Sequence, residues 1–258
     1  MLHADAVGEG DPVVLLHGFT QTGGSWVPIA ASLAERHRVV TIDVPGHGRS
    51  SNIRAGLIDG ADMMAAAAPS PAKWIGYSMG GRFLLQVVLR HPGDVTRLVL
   101  VSTTAGIEDP QERARRREND RALAGRVRAL GVERFLEEWL SQPLFSTLRP
   151  DAAGIKSRLD CTPDGLASSL ALAGAAEQEP VWDSLHTLSM PVLVVAGGLD
   201  KKYVALGERL VDRIGQNSRL HIIEGAGHAC HLEQPQAFLD AVRPFLAEPP
   251  VPFMDRLS

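Results

Sequence analysis

Cysteine is nearly absent from the 258-residue sequence. Cys161 and Cys230 are the only two, too few for a disulfide framework and without the spacing of a metal site. That usage fits a reducing cytoplasm. Long apolar runs are also missing: none approaches the ~18 residues of a membrane span, so no membrane partner is expected. The opening stretch MLHADAVGEGDPVVLLHG has neither a basic n-region nor a long apolar h-region, which argues against a secretory leader. Positive charge is in deficit, with a formal net charge of −4, and this argues against general nucleic-acid binding. Lysine is scarcer still. Lys73, Lys156, Lys201 and Lys202 are the whole complement, and the rest of the 26 basic residues are arginine. Genomic base composition would account for that bias, and so would a need for bidentate carboxylate recognition. The sequence sets no oligomeric state.

What is present is a rhythm. PVVLLHG, HRVVTIDV, KWIGYS, VTRLVLVST, PVLVVAGG and RLHIIEG are short apolar runs bounded by polar residues or glycine. Runs that are apolar throughout suit strands buried on both faces of a parallel sheet. Helix-like segments near 25–36, 57–68, 79–91, 203–215 and 235–247 lie between them. The alternation predicts right-handed βαβ crossovers and a doubly wound α/β fold. From about 104 to 188 the rhythm stops. DPQERARRRENDRALAGRVRALG reads as a charged helix with Pro110 near its start, VERFLEEWLSQPLF as a second ending before Pro143, and PDGLASSLALAGAA as a third. We therefore expect a core of 1–103 and 189–258 and a helical lid of 104–188 over the C-terminal ends of the strands, where ligands of such sheets bind.

GYSMG, residues 76–80, matches G-x-S-x-G. It follows a strand-like run and precedes a helix-like one, the strand–turn–helix setting in which a serine nucleophile is exposed. A serine needs a base, and the base needs an orienting carboxylate. EGAGHACHLEQP places His228 in a loop after the last strand, and GGLDKKY places Asp200 just past the preceding one. His231 is the rival base, but it begins the last helix and points elsewhere. His3, His37, His91, His186 and His221 read as structural, as does the turn DVPGHGRS at 43–50.

HGF, DVPGHGRS, GYSMGG, GGLD and GAGH together resemble the α/β-hydrolase superfamily over nearly the whole chain. The resemblance implies a mostly parallel sheet of about seven strands, the usual first strand being absent, since only about ten residues precede PVVLLHG. It implies a triad of Ser78, Asp200 and His228, and an oxyanion site made by the backbone N–H groups of Phe19 and Met79, with His17 and Gly18 shaping the first loop. A narrower resemblance lies in RRRENDRALAGRVRALGVERFLEEWLSQPLF, GYSMGGR and LDKKYVALGERL, which are similar to the 2-succinyl-6-hydroxy-2,4-cyclohexadiene-1-carboxylate synthases of menaquinone biosynthesis. These lyases remove a proton from an enolpyruvyl cyclohexene dicarboxylate and expel pyruvate. Their carboxylate-binding arginines match Arg82 and Arg116, and a tryptophan matches Trp139. Two positions depart from the family. Leu140 stands where a tyrosine is frequent, and a further arginine position falls at Asp160, with Arg158 nearby as a substitute.

Arg82 lies four residues beyond Ser78, so the two share one helix face. It also lies in the first turn, where a cation opposes the helix dipole at a cost of about 0.3–1 kcal/mol. A small anionic substrate with several carboxylates would repay that cost through a bidentate clamp. A structural ion pair with a nearby acid is the other reading. The rest of the run Arg113, Arg115, Arg116, Arg117 and Arg121, interleaved with Glu112, Glu118 and Asp120, reads as a solvated face, and Arg116 and Asp120 are spaced to pair. No metal or organic cofactor is implied. A serine carboxylesterase or carbon–carbon bond hydrolase for acidic substrates fits the same triad. A non-catalytic ligand-binding protein on the same scaffold is the third reading.

Overall fold

Seven strands form one sheet in the order β1-β3-β2-β4-β5-β6-β7. They are β1 (Ala4–Val7), β2 (Asp11–Leu16), β3 (His37–Ile42), β4 (Ala72–Tyr77), β5 (Val95–Val101), β6 (Val192–Gly197) and β7 (Ser218–Ile223). The structure, a computed structural model, describes residues 1–248. The stretch 249–258 of the expected core lies outside the described residues. All pairings are parallel except one: β1 runs antiparallel to β3, with Ala4 opposite Ile42 and Val7 opposite Val39. The six apolar runs form β2 to β7. The seventh strand, β1, is not among them, because all four of its residues are exposed and carry no apolar pattern.

Successive residues of the central strands feed two cores. Val14, Leu16, Trp74, Leu98, Leu100, Val192 and Val194 belong to one, and Val13, Leu15, Ile75, Val99, Val101, Leu193 and Val195 to the other. This is the period-two alternation of a sheet with both faces covered. Helices α1 (Val27–Leu33), α2 (Leu57–Ala67) and α3 (Met79–Arg90) punctuate the first half of the sheet. Residues of α2 and α3 join the first core and those of α1 the second.

Between β5 and β6 the chain makes α4 (Pro110–Leu140), α5 (Ile155–Arg158) and α6 (Pro163–Ala173). The Asp109 carboxylate accepts the N–H groups of Gln111 and Glu112, and Pro110 occupies the first helical position, where no N–H is needed. Gly131, at φ 75°, breaks α4 into the two helices that the sequence predicts. Arg126 ties the two halves together through a fork of hydrogen bonds to Glu138 at 2.6 and 2.5 Å. Ala124, Val127, Phe135, Leu166, Ala167 and Leu170 give these helices a core of their own. After them, Trp182 and Leu185 rejoin the first sheet core. Helices α7 (Lys201–Ile214), α8 (Cys230–Glu233) and α9 (Pro235–Ala247) complete the described residues, with α7 on the first core and α9 on the second.

The charged run on α4 is less solvated than its pattern suggests. Arg113 pairs with Glu179, and Arg117 with Glu177 at 2.7 Å, so both fasten α4 to the segment that follows α6. Asp120 is not on a solvated face at all. It is 3% exposed and accepts from Arg116 Nε at 2.9 Å.

Candidate active site

The turn after β4 sets the geometry. Ser78 has φ 51° and ψ −108°, a conformation that L-residues rarely adopt. It is held by its own N–H, which donates to Val101 O at 2.8 Å, and by its carbonyl, which accepts from Thr103 Oγ1 at 2.8 Å. The flanking glycines are required by space. A Cβ on Gly80 would lie 2.4 Å from Leu16 O, and one on Gly76 would lie 2.7 Å from Gly80 O. The strained turn lifts the Ser78 hydroxyl clear of the sheet at the start of α3.

Two further loops meet it. His228, in the loop after β7, accepts a hydrogen bond from the Ser78 hydroxyl at Nε2 over 3.2 Å. Its Nδ1–H donates to Asp200 Oδ2 at 2.8 Å. Asp200 caps α7, and its other oxygen accepts the Tyr203 N–H at 3.3 Å. The imidazole is thus held between serine and carboxylate, 150 and 28 residues away in sequence. Glu233, which sequence reasoning missed, fixes the loop from below: its carboxylate oxygens accept the N–H groups of Gly227 at 2.7 Å and Ala229 at 3.0 Å, on either side of His228. His231 does not join this set. It is fully buried against Trp26 and Tyr77, neither ring nitrogen is hydrogen-bonded among the described residues, and burial lowers its pKa to about 3.

Phe19 and Met79 line the same cavity as Ser78. Among the described residues, neither amide N–H has a hydrogen-bond partner, so both remain available as donors. The Phe19 loop is pinned from two sides. His17 accepts the Val44 N–H at Nε2 and donates from Nδ1 to Gly18 O. His47 does the same one loop away, accepting the Thr20 N–H and donating to Pro45 O. Burial holds both imidazoles neutral, with pKa values lowered to about 4 for His17 and about 3 for His47. DVPGHGRS is therefore structural as expected, but its structure serves the Phe19 loop. Asp43 adds to this by accepting from Gly23 N and Arg49 N at 2.7 and 2.8 Å.

The cavity above Ser78 holds about 530 Å³, walled by the sheet's loops below and by α4 and α6 above. Four arginines line it: Arg82, Arg116, Arg158 and Arg126, the last of which is already forked onto Glu138. Arg82 is buried, donates one Nη to Ala173 O at 2.8 Å, and pairs with no carboxylate among the described residues. Burial lowers its pKa to about 10, helped by the nearby Arg116 charge, so it stays cationic at neutral pH. Arg158 is 1% exposed, bonded to Ala153 O at 2.7 Å and to the Thr20 hydroxyl, and burial brings it to about 10 as well. It thus approaches the cavity just before Asp160, the position where the family's further arginine is lacking. Trp139 lines the cavity too, edge-on to Phe19 at 5.1 Å and stacked on Phe135, with its indole N–H buried and without a partner among the described residues. Leu140 does not line it. Among the described residues, no cluster of His, Cys, Asp or Glu could hold a metal ion.

A parallel sheet, a strained serine turn and a Ser–His–Asp line drawn from three loops define a class of protein, and the chain belongs to it: residues 13–241 match the Alpha/beta hydrolase family. Within that family it groups with the 2-succinyl-6-hydroxy-2,4-cyclohexadiene-1-carboxylate synthases. It is 32% identical to the one from Photorhabdus laumondii, over 91% of this chain and 85% of that protein. It is 35% identical, over 92% of this chain and 90% of the relative, to a Bacillus subtilis protein that carries the same name provisionally. The structure of MenH from S. aureus superposes with a TM-score of 0.88 at 26% identity, covering 95% of this chain and 98% of that one.

Proposed function

We propose that the chain is a 2-succinyl-6-hydroxy-2,4-cyclohexadiene-1-carboxylate synthase, a lyase of menaquinone biosynthesis. It takes a proton from an enolpyruvyl cyclohexene dicarboxylate and eliminates pyruvate. The observation that carries this reading beyond the family is Arg82, a buried guanidinium one turn from Ser78 that forms no ion pair among the described residues. A buried, unpaired charge costs several kcal/mol, and an esterase for neutral acyl groups would gain nothing from it. A substrate with several carboxylates supplies the missing counter-ions, with Arg116 and Arg158 receiving the others. The Trp139 indole N–H is a further donor for the same ligand.

Ser78 acts as the base. His228 accepts the hydroxyl proton as the Ser78 oxygen takes the substrate proton, and Asp200 stabilises the imidazolium that forms. Negative charge grows on a substrate carbonyl oxygen, and the Phe19 and Met79 amides receive it. Collapse of that charge breaks the ring C–O bond and expels enolpyruvate, which takes the proton from the His228 imidazolium and tautomerises to pyruvate, while Ser78 keeps the proton drawn from the substrate. The roles require no water and no acyl-enzyme. Residues 104–188, as a lid, supply Arg116, Trp139 and Arg158 and exclude solvent. Two free, buried thiols suit the cytoplasm, and no helix among the described residues is long and apolar enough to cross a membrane.

A hydrolase of acidic esters is the second reading. It is favoured by the similarity to a Thermogutta terrifontis esterase solved with malate bound, at TM-score 0.83 and 28% identity over 95% of this chain and 92% of that one. One experiment separates the two: the purified protein is offered the enolpyruvyl intermediate and a panel of nitrophenyl esters in parallel. Fast pyruvate release with negligible ester cleavage is expected, and the reverse would establish the hydrolase.

A further inference from the structure

Asp120 is the one carboxylate in the cavity wall that the proposed reaction does not use. It sits on α4 at 3% exposure, among cations. One oxygen accepts from Arg116 Nε at 2.9 Å. The other, Oδ2, is buried and has no hydrogen-bond partner among the described residues. The adjoining turn leaves room for it. Gly174, which ends α6, packs close to this oxygen: a Cβ there would come within 2.6 Å of Oδ2, so only the missing side chain leaves space beside it, and both residues line the cavity.

A buried carboxylate oxygen without a donor loses its hydration and gets nothing back. A ligand donor entering the cavity would restore the balance. The ligand class named for the relatives is poor in donors: two carboxylates and a ketone only accept at neutral pH, and the 6-hydroxyl is its single O–H. Arg82, Arg116 and Arg158 provide for the acceptors. Asp120 is the wrong charge for every group of such a ligand except the hydroxyl.

We propose that Asp120 Oδ2 accepts a hydrogen bond from the ring hydroxyl of the substrate and product, while Oδ1 holds Arg116 toward their carboxylates. Asp120 thus selects hydroxylated rings over otherwise identical ones. The inference rests on the proposed reading of the substrate.

The test uses two ligands that differ at this point: the hydroxylated product and 2-succinylbenzoate, its dehydrated aromatic counterpart, which keeps both carboxylates and the ketone. Each is measured as a competitive inhibitor of pyruvate release by the full-length enzyme. The wild type is expected to prefer the hydroxylated ligand by about ten- to a hundredfold, the range of one charge-assisted hydrogen bond. Asp120→Ala should weaken both ligands through the loosened Arg116 and also bring their ratio close to one. Asp120→Asn, which conserves volume and guards against a folding failure, should give an intermediate ratio because its hydrogen bonds are neutral. A ratio that Asp120→Ala leaves unchanged while both affinities fall would overturn the proposal and reduce Asp120 to a support for Arg116. A wild type that does not distinguish the ligands would overturn it too. Absence of pyruvate release from the wild type is a different failure, that of the substrate reading itself.

Discussion

The Nε2 atom of His47 accepts the N–H of Thr20 over 3.2 Å, joining the loop after β3 to the loop that carries Phe19. Thr20 has φ 67°, a left-handed conformation disfavoured for a β-branched residue, and this bond helps to hold it. The His47 ring also packs edge-on against Phe19 at 5.6 Å. His47 touches no substrate in this scheme; it is a positioning residue for the Phe19 amide.

His47→Ala should therefore lower kcat on the order of a hundredfold, as misplacement of a catalytic group by about 1 Å does, with KM changed much less. His47→Gln, whose amide oxygen reaches the Nε2 position, should restore part of kcat. A purely structural role would lower thermal stability equally in both variants and leave kcat of the folded fraction intact. Steady-state kinetics below the melting transition decides between them.

The Ser78–His228–Asp200 line makes a second prediction. Ser78→Ala, His228→Ala and Asp200→Asn should each reduce turnover by orders of magnitude with the fold retained. Their losses should not add, because the three act as a unit. Near-normal turnover in His228→Ala, with activity lost in His231→Ala, would reverse the assignment of the base. The structure gives His231 no route to Ser78, since it is packed beneath Tyr77.

Much of this arrangement is legible in the sequence, and the exceptions share a cause. GYSMG, GGLD and GAGH carry local backbone demands, so the order of residues alone places Ser78, Asp200 and His228 on loops. The six buried strands announce themselves because a parallel sheet needs apolar residues on both faces. The antiparallel β1 does not, being short and exposed. Glu233 is invisible in the sequence because its partners, the amides of Gly227 and Ala229, are backbone groups with no sequence signature. Asp120 reads as solvated because its neighbours on α4 are charged; only the packing of α6 against α4 buries it. Arg158 stands out by position, but its burial depends on Thr20, 138 residues away.

Three histidines predict an acid-labile fold. Burial lowers His17 to about 4 and His47 and His231 to about 3, against 6.5 in an unfolded chain. The folded pKa lies below the unfolded one, so as pH falls through 6.5 the unfolded chain takes up protons that the native state refuses. Stability should be flat above that point and decline toward pH 4, by about 1.4 kcal/mol per pH unit for each histidine. Urea titrations at pH 7.5, 6 and 5 measure it. His231→Leu, which breaks no hydrogen bond, should flatten the decline by about one proton. A variant slope equal to that of the wild type would mean that His231 is not held neutral.

Arg82 decides the kind of chemistry. Its guanidinium is buried, spends one Nη on Ala173 O and keeps the rest of its donors for the cavity. If these donors clamp a substrate carboxylate, Arg82→Ala should lose about 1.5–3 kcal/mol of transition-state binding per charge-assisted bond. Arg82→Lys should recover only part, because a point charge does not reproduce the planar fork. Activity toward neutral esters, where any exists, should be unchanged or improved, since the buried charge that those substrates cannot use has been removed. Elimination passes through no acyl-enzyme, so intact-protein mass spectrometry during turnover of the enolpyruvyl substrate should show Ser78 unmodified. An adduct that accumulates and then hydrolyses would make the protein a hydrolase in which Arg82 selects acidic esters. Unchanged kinetics in Arg82→Ala would instead make the arginine a strut between α3 and the end of α6, and would remove the physical reason for preferring the lyase over its hydrolase neighbours.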